Sequence, residues 1–210
     1  MKLYMFPVAP NPTRVRLFLA EKAAAGAEIP IEQIPINLRE GEHRTPEHLA
    51  RNPFGKLPVL ELDDGTCFGE SLAIIEYLEE LHPDPPLIGS DSRERLAVRT
   101  LERVAEMGVL HPVARAIHAS NSPLGLPPNP EVAKYHLEML PTGLSYLNDT
   151  LADGRPFVAG DRPTIADCTL AAALQFARFR ELEIDPSFQH VHAWDARYRE
   201  REPAKATLIF

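Results

Sequence analysis

The sequence predicts an α/β domain followed by an all-α domain, and two observations support this prediction. Short apolar strands alternate with helical segments over residues 1–81, whereas strand patterns nearly vanish beyond residue 91. Residues 82–86, HPDPP, hold three prolines in four consecutive positions, which cannot continue a helix and which stiffen a linker. We therefore predict an N-terminal domain at residues 1–81, a proline-rich linker at 82–90 and an all-helical domain at 91–210.

Composition excludes several classes of function. With 210 residues and 44% apolar residues, the chain can bury a sizeable core. Its net charge of -8 argues against nucleic acid or an anionic membrane as a partner, since both attract basic surfaces. Its two cysteines, Cys67 and Cys168, show neither CxxC nor metal spacing, so we expect no metal and a reducing, cytoplasmic setting. Three early prolines and the lack of a long apolar run predict a mature N-terminus and no membrane helix.

The first strand and the first helix are separated by a proline-rich turn. Residues 2–6, KLYMF, predict the strand, and prolines at positions 7, 10 and 12 mark the turn. Residues 13–22 predict the helix, whose positions 15, 17, 18 and 19 are apolar. Asn11 before Pro12 resembles a capping residue followed by proline at the first helical position, so we expect Asn11 to begin this helix.

The rest of the first domain predicts a second βα unit, then a hairpin and a helix. Isoleucines at 29, 31, 34 and 36 indicate a strand within residues 25–38, and a short helix is expected from Thr45 or Pro46. LPVLEL at 57–62 and TCFG at 66–69 predict two strands joined by a DDG turn. Ser71 is then expected to cap a helix that ends near residue 81. This order, βαβα followed by ββα, is that of a thioredoxin-like domain.

The second domain shows mainly helical patterns. A long helix is predicted over residues 92–118, with a bend at Gly108 and Pro112, and a second over 131–151. Thr164 and Asp167 have the spacing of a capping box at the start of a buried, alanine-rich helix over 168–180. A short helix around 192–200 and an irregular tail complete the chain.

The start of the helix after the hairpin is a candidate binding site. Free backbone N–H groups and the helix dipole favour an anion there, and Ser71 adds a hydroxyl. Glu70 places a carboxylate beside this anion site. A group that carries both a carboxylate and an ammonium, such as an amino acid, suits the pair.

Two motifs carry a family resemblance. GKLPVL at 55–60, followed after the hairpin by GESLAI at 69–74, resembles the glutathione-binding half of the cytosolic glutathione transferases. The resemblance covers the whole chain and is greatest to bacterial, theta- or nu-like members. It implies the glutathione transferase fold, an α/β thioredoxin-like N-terminal domain plus an all-α C-terminal domain, with glutathione as co-substrate, a homodimer and a role in detoxification. It also implies a cis peptide bond between Leu57 and Pro58, so that the Leu57 backbone pairs with the cysteinyl backbone of the tripeptide.

The resemblance assigns the ends of the tripeptide to particular residues. Glu70 is expected to bind the γ-glutamyl ammonium, and Ser71 with the helix N–H groups the α-carboxylate. His43 and Lys56 are expected at the glycyl carboxylate, although a solvated surface role fits them nearly as well. Arg14 and Arg16 are interpreted mainly as partners in structural ion pairs.

The residue that activates the thiol departs from the family pattern. A donor or a positive field must favour the thiolate, and the serine position of the resembling members falls here on Ala9, which cannot donate. Asn11 is the best replacement, because its amide can donate to sulfur; a purely capping role is equally compatible. Thr13 is a further donor, and Tyr4 is expected in the core.

The second substrate is expected between this turn and the long helix. Val8 and Ala9 would form one wall of the pocket, and spacing on one helical face selects Met107, Leu110, His111 and Arg115 for the other. The alternative is that the apolar residues are core and that His111 is a satisfied buried histidine.

Three functions remain open from the sequence. The first is a glutathione transferase that directs the thiolate at an electrophilic, peroxide or disulfide small molecule. The second is a glutathione-binding or ligand-carrying protein with little catalysis, which the alanine at position 9 favours. The third is a non-catalytic interaction module of the same fold.

Overall fold

The computed structural model describes residues 1–209. Its N-terminal part contains one four-stranded sheet with the order β2-β1-β3-β4. The strands are β1 Lys2–Met5, β2 Glu32–Pro35, β3 Val59–Glu61 and β4 Cys67–Phe68. The helices of this part are α1 Pro10–Ala24, α2 Pro46–Arg51 and α3 Ser71–Leu81. Strands β1 and β2 are parallel and the other pairs antiparallel, so the predicted thioredoxin-like domain and its β3–β4 hairpin are confirmed.

The C-terminal part is helical, as predicted. Its elements are α4 Ser92–Ala105, a π-helical segment Glu106–Leu110, α5 His111–Ser120, α6 Pro130–Thr150, α7 Ile165–Phe179, α8 Gln189–Arg199 and α9 Glu202–Thr207. The core of this part forms around α7, whose residues up to Ala177 are all buried. Within residues 1–209, no helix combines the length and apolar character needed to cross a membrane.

The predicted bend in the long helix takes the form of the π-helical segment. Gly108 lies in this segment and faces Gly143 of α6 at very short range, since a Cβ added at Gly143 would stand 2.4 Å from the Gly108 carbonyl oxygen. Only glycine permits this backbone approach. This close contact with α6 therefore fixes the position of the π-helical segment, which begins with Glu106.

Two predicted helix starts are wrong by one or more residues. Helix α1 begins at Pro10 with Ala9 as its N-cap, so Asn11 is the second helical residue and does not cap it. Pro10 meets the preference for proline in the first turn as well as Pro12 does. Helix α3 begins at Ser71 with Glu70 as the N-cap, and among residues 1–209 no side-chain cap bond is found there.

The chain end also differs from the prediction. The tail expected to be irregular contains α9, which packs on α1. Arg201, directly before α9, donates to Glu21 of α1 at 2.6 Å, and Arg16 donates to the carbonyl of Thr207 at 3.1 Å. Long-range contacts, which sequence patterns do not show, thus stabilise this short helix.

The segment between the two parts is held by two buried side chains. Lys22 of α1 donates to the carbonyl oxygens of His82 and Pro85 at 2.6 and 2.7 Å and pairs with Glu79 at 2.6 Å. Glu79 in turn accepts from the backbone N–H groups of residues 87 and 88 at 2.7 and 2.9 Å. The proline-rich segment is therefore clamped onto the first domain.

Candidate functional site

The tip of α3 has an unusual backbone. Glu70 has φ 62° and ψ 103°, a conformation that non-glycine residues rarely adopt and that is typical of functional sites. Its side chain is exposed, whereas Ser71, the first residue of the helix, is buried. The turn from β4 into α3 thus leaves a carboxylate in solvent beside the free N–H groups of the helix start.

Ser71 connects this tip to the first turn of α1. Its hydroxyl donates to the side-chain amide oxygen of Asn11, Oδ1, at 3.4 Å, and its oxygen accepts from Arg14 Nε at 2.8 Å. The structure therefore brings the predicted residues Asn11 and Ser71 together, with Arg14 beside them. Because the Asn11 oxygen accepts this bond, its amide NH₂ group is left to donate elsewhere.

The loop before β3 has the predicted cis bond between Leu57 and Pro58, and Leu57 is half-buried. The preceding carbonyl, that of Lys56, accepts from Asn52 Nδ2 at 3.0 Å, which holds the loop in place. Tyr4 of β1 pairs with Val59, directly after the cis proline. The loop therefore lies alongside the end of β1 that leads into the Asn11 turn.

The two residues predicted at the glycyl carboxylate lie on adjoining loops. Gly55, with φ 59°, approaches the loop of His43 so closely that an added Cβ would stand 2.9 Å from the His43 carbonyl oxygen. The His43 ring is buried, and within the described chain its Nδ1 has no hydrogen-bond partner. Burial, followed by the charges of Arg44 and His48, lowers the pKa of His43. Lys56 is exposed.

The other hydroxyl donors near the turn are engaged within the fold. Thr13 is buried, donates to the carbonyl oxygens of Pro7 and Ala9 at 3.1 and 2.9 Å, and accepts from Gln175 at 3.2 Å. Tyr4 is in the core, as predicted, and donates to Glu61 at 2.7 Å. Among residues 1–209, no acceptor is found for the side-chain NH₂ group of Asn11, which leaves Asn11 as the available donor of this turn.

A cavity of about 60 Å³ opens beside the turn. It is lined by Phe6, Val8, Ala9, Pro10, Leu38, Arg39, His118, Pro123, Leu124, Phe176 and Phe179. Val8 and Ala9, the residues of the turn that are predicted at the second-substrate pocket, lie on one side of it. The opposite wall comes from the end of α5, the following loop and α7, rather than from the residues selected on the long helix.

The four residues selected on the long helix lie apart from this cavity. Met107 is half-exposed, Leu110 is buried, Arg115 is exposed, and the His111 ring lies 5.7 Å from that of His136. None of the four is among the residues that line the cavity within residues 1–209. Their role toward a second substrate therefore stays a prediction.

His118 lines the cavity but is not among the residues predicted from the sequence. Its Nδ1 lies 3.1 Å from the Ser122 hydroxyl oxygen. Burial, followed by the charges of Arg115 and Arg180, lowers the pKa of His118, which keeps the imidazole neutral near pH 7. Two helical turns separate His118 from His111, so extending the same face by seven residues would have found it.

Comparison with known proteins identifies the family. Residues 3–86 match the family model of the glutathione S-transferase N-terminal domain, and residues 94–199 match that of the C-terminal domain. The chain belongs to the glutathione S-transferase family. It is a glutathione transferase by class, with glutathione as co-substrate, and its predicted fold is confirmed.

Individual relatives match over nearly the whole chain. Glutathione S-transferase 2 of Saccharomyces cerevisiae is 37% identical over 216 residues, which cover 99% of this chain and 89% of the relative. The crystal structure of Gtt2 from the same yeast has a TM-score of 0.88 at 36% identity and covers 99% of this chain and 100% of that one. A glutathione S-transferase from Methylobacillus flagellatus, solved with GSH bound, has a TM-score of 0.83 at 26% identity, with 100% and 99% covered.

Within this glutathione transferase, the residues described above fall into two groups. Asn11, Arg14 and Ser71 are joined by hydrogen bonds at the start of α1 and α3, and the His43 and Gly55 loops adjoin each other. The cavity at Ala9 lies next to the first group, because Ala9 caps the helix that carries Asn11.

Proposed function

We propose that the protein binds glutathione along the cis-proline loop and the tip of α3 and directs its thiolate at an electrophilic, peroxide or disulfide small molecule in the Ala9 cavity. The observation that carries this proposal is the contact between Ser71 and Asn11. It brings an amino-acid site at α3 within a few ångströms of a free amide donor at the turn where the thiol is expected.

The tripeptide ends are assigned as the sequence predicts. Glu70, exposed at the helix tip, takes the γ-glutamyl ammonium, and Ser71 with the N–H groups of α3 takes the α-carboxylate. The Leu57 backbone pairs with the cysteinyl residue. His43 and Lys56 take the glycyl carboxylate, which is supported by the close approach of their loops.

We assign two side chains to act on the thiol. Asn11 donates an N–H to the thiolate and stabilises its charge. His118, kept neutral, lines the same cavity as Ala9, and a neutral imidazole can accept the thiol proton, directly or through a water molecule. The pair replaces the hydroxyl that Ala9 lacks.

The cavity is too small to enclose a typical ligand of several hundred cubic ångströms. We therefore assign it to the reacting group of the second substrate. The part of this substrate that extends beyond the cavity would be bound by the residues predicted on the long helix, Met107, Leu110, His111 and Arg115.

A titration of the bound thiol tests this proposal. The thiolate absorbance of the glutathione complex should report a thiol pKa below that of free glutathione, and Asn11→Ala should raise it by about one unit. His118→Ala, which removes a proton acceptor but no charge, should leave this pKa unchanged and slow turnover by about 100-fold. His190→Ala, an exposed histidine of α8, is the matched control and should change neither the pKa nor the rate. A pKa equal to that of free glutathione in the wild-type complex would contradict catalysis.

That outcome would favour the second function, a glutathione-binding carrier, which the alanine at position 9 supports. A protein that immobilised glutathione fails to retain would instead support the interaction module. The two outcomes differ in whether the tripeptide binds at all.

We further propose a cytoplasmic homodimer that acts in detoxification, with the domain limits at residues 81 and 91. Phe54, 74% exposed, and the half-exposed Phe68 supply apolar surface that a second copy would cover. Light scattering should give twice the chain mass of 23.4 kDa, and Phe54→Ala should shift the population toward monomer. A wild-type monomer at micromolar concentration would contradict the dimer.

A further inference from the structure

Arg14 is a buried cation whose hydrogen bonds connect the two domains. Its side chain is 2% exposed. Nε donates to Ser71 of α3 at 2.8 Å, and Nη1 donates to Glu102 of α4 at 2.9 Å and to Glu106 of the π-helical segment at 2.8 Å. The tip of α3 is therefore linked to the helical domain through one guanidinium group.

The chemistry of arginine sets the orientation of the Ser71 hydroxyl. A guanidinium group donates hydrogen bonds and accepts none, so the Ser71 oxygen must accept from Arg14. The hydroxyl proton of Ser71 is then available only as a donor to another group. Its partner in this structure, the Asn11 oxygen, lies at 3.4 Å, which is long for an O–H···O bond.

Arg14 has two acidic partners, Glu102 and Glu106, and a contact between the two domains does not require such a buried ion cluster. Glu102 is 1% exposed and also accepts from Thr169 at 3.1 Å, while its second oxygen has no hydrogen-bond partner within residues 1–209. A buried ion cluster contributes little net stability, and apolar side chains of similar volume often do as well. The hydrogen bond that Arg14 donates to Ser71 therefore explains the cluster better than a contribution to stability does.

We infer that Arg14, held by Glu102 and Glu106, is a positioning residue that fixes the Ser71 hydroxyl as a donor to the α-carboxylate of the γ-glutamyl group. This inference rests on the proposed function. It makes the helical domain part of the machinery that recognises the amino-acid end of the tripeptide. Arg14 itself touches Ser71 and not the substrate.

Two ligands and two substitutions test the inference. Calorimetry would compare glutathione with 4-aminobutyryl-cysteinyl-glycine, which lacks the α-carboxylate. Arg14→Met and Ser71→Ala should each weaken glutathione binding about tenfold and leave binding of the analogue within twofold. The double variant should be no weaker than Ser71→Ala alone, because both changes remove the same interaction.

Arg16→Met is the matched control. Arg16 lies on the same helix and also donates three hydrogen bonds, to Gln33 and to the carbonyl oxygens of Pro7 and Thr207. None of them involves Ser71, so Arg16→Met should not alter the preference for glutathione over the analogue.

Loss of the cation could also unfold the protein, because two buried carboxylates would remain. The variant Arg14→Met/Glu102→Gln/Glu106→Gln removes all three charges and should show the same selective loss. Equal weakening of both ligands, or additive effects of Arg14→Met and Ser71→Ala, would overturn the inference while the proposed function stands. A wild-type protein that does not bind glutathione would overturn both.

Discussion

Two buried carboxylates in the helical domain, those of Asp167 and Glu102, are stabilised in different ways. Asp167 accepts four hydrogen bonds from neutral donors: the Val158 N–H at 2.8 Å, the Thr164 N–H and hydroxyl at 2.9 Å, and the Trp194 indole at 3.1 Å. Glu102 instead faces a cation, Arg14, and a single hydroxyl. Burial raises the pKa of Asp167 to about 6 and that of Glu102 to about 7.

This difference indicates that Asp167 stabilises the fold, whereas Glu102 supports the binding site. The four bonds of Asp167 come from one domain and complete a capping box at the start of α7, so they stabilise local structure. Glu102 is tied to a residue 88 positions away in the other domain, and the chain of contacts ends at Ser71. Substitutions at Asp167 should therefore lower the stability of the protein, and substitutions of Glu102 and its partners should also change its affinity for glutathione.

The largest effect is expected for Asp167→Ala. Two backbone N–H groups, a hydroxyl and an indole N–H would lose their acceptor in the core, which should lower the free energy of unfolding by about 3–5 kcal/mol. Urea unfolding measures this change. The exposed Asp161→Ala is the control and should change it by less than about 0.5 kcal/mol. A selective loss of glutathione affinity in the folded Asp167 variant would break the comparison.

The second-largest effect is expected for Glu102→Gln, in how the stability of the protein depends on pH. The pKa of Glu102 is raised in the folded state, so the native protein binds this proton where the unfolded chain has lost it, and stability falls as pH rises from about 4.5 to about 7. Glu102→Gln removes this contribution. Its stability relative to wild type should therefore rise between pH 5 and pH 8 by on the order of 3 kcal/mol, measured by urea unfolding. A pH-independent difference would show that Glu102 is ionised throughout.

A smaller effect is expected for Thr164→Ala. The variant loses the hydroxyl that donates to Asp167 but keeps the backbone donors, so the free energy of unfolding should fall by about 1 kcal/mol. Combined with Asp167→Ala, it should add almost nothing in urea unfolding, because its partner is already gone. Full additivity would mean that Thr164 acts elsewhere.

The smallest effect is expected for Glu106→Gln. Glu106 is 20% exposed and also pairs with Arg103, so the guanidinium group of Arg14 keeps its buried partner Glu102 when this charge is lost. Glutathione binding should weaken about twofold to threefold by calorimetry, with less than about 1 kcal/mol of stability lost. An effect as large as that of Arg14→Met would make Glu106 the main support of the arginine.

Features with a local cause were predictable from the sequence. The spacing of Thr164 and Asp167 indicated the capping box, and the GKLPVL and GESLAI motifs indicated the family and the cis bond before Pro58, all of which are confirmed. The start of α1 was not predictable, because prolines at 10 and 12 both suit a first turn and the bonds of Thr13 to the Pro7 and Ala9 carbonyls depend on the folded turn.

The missed parts of the site depend on long-range contacts. His118 reaches the cavity because the loop after α5 folds back beside α7, and Arg14 meets Ser71 across 57 residues. Helical spacing from His111 indicates His118 as a candidate but not the cavity that it lines, and no spacing rule relates Arg14 to Ser71. The interpretation of Arg14 as a partner in structural ion pairs therefore covers its bonds to Glu102 and Glu106 but not its bond to Ser71.

The clamp formed by Lys22 and Glu79 has a consequence for how ligands enter. The connecting segment is anchored through the backbone of residues 82, 85, 87 and 88, so it has little freedom to serve as a hinge. A cleft assembled from both halves is then already formed before glutathione arrives. Entry should require side-chain and loop adjustments, such as those of residues 121–129 beside the cavity, rather than a swing of one half away from the other.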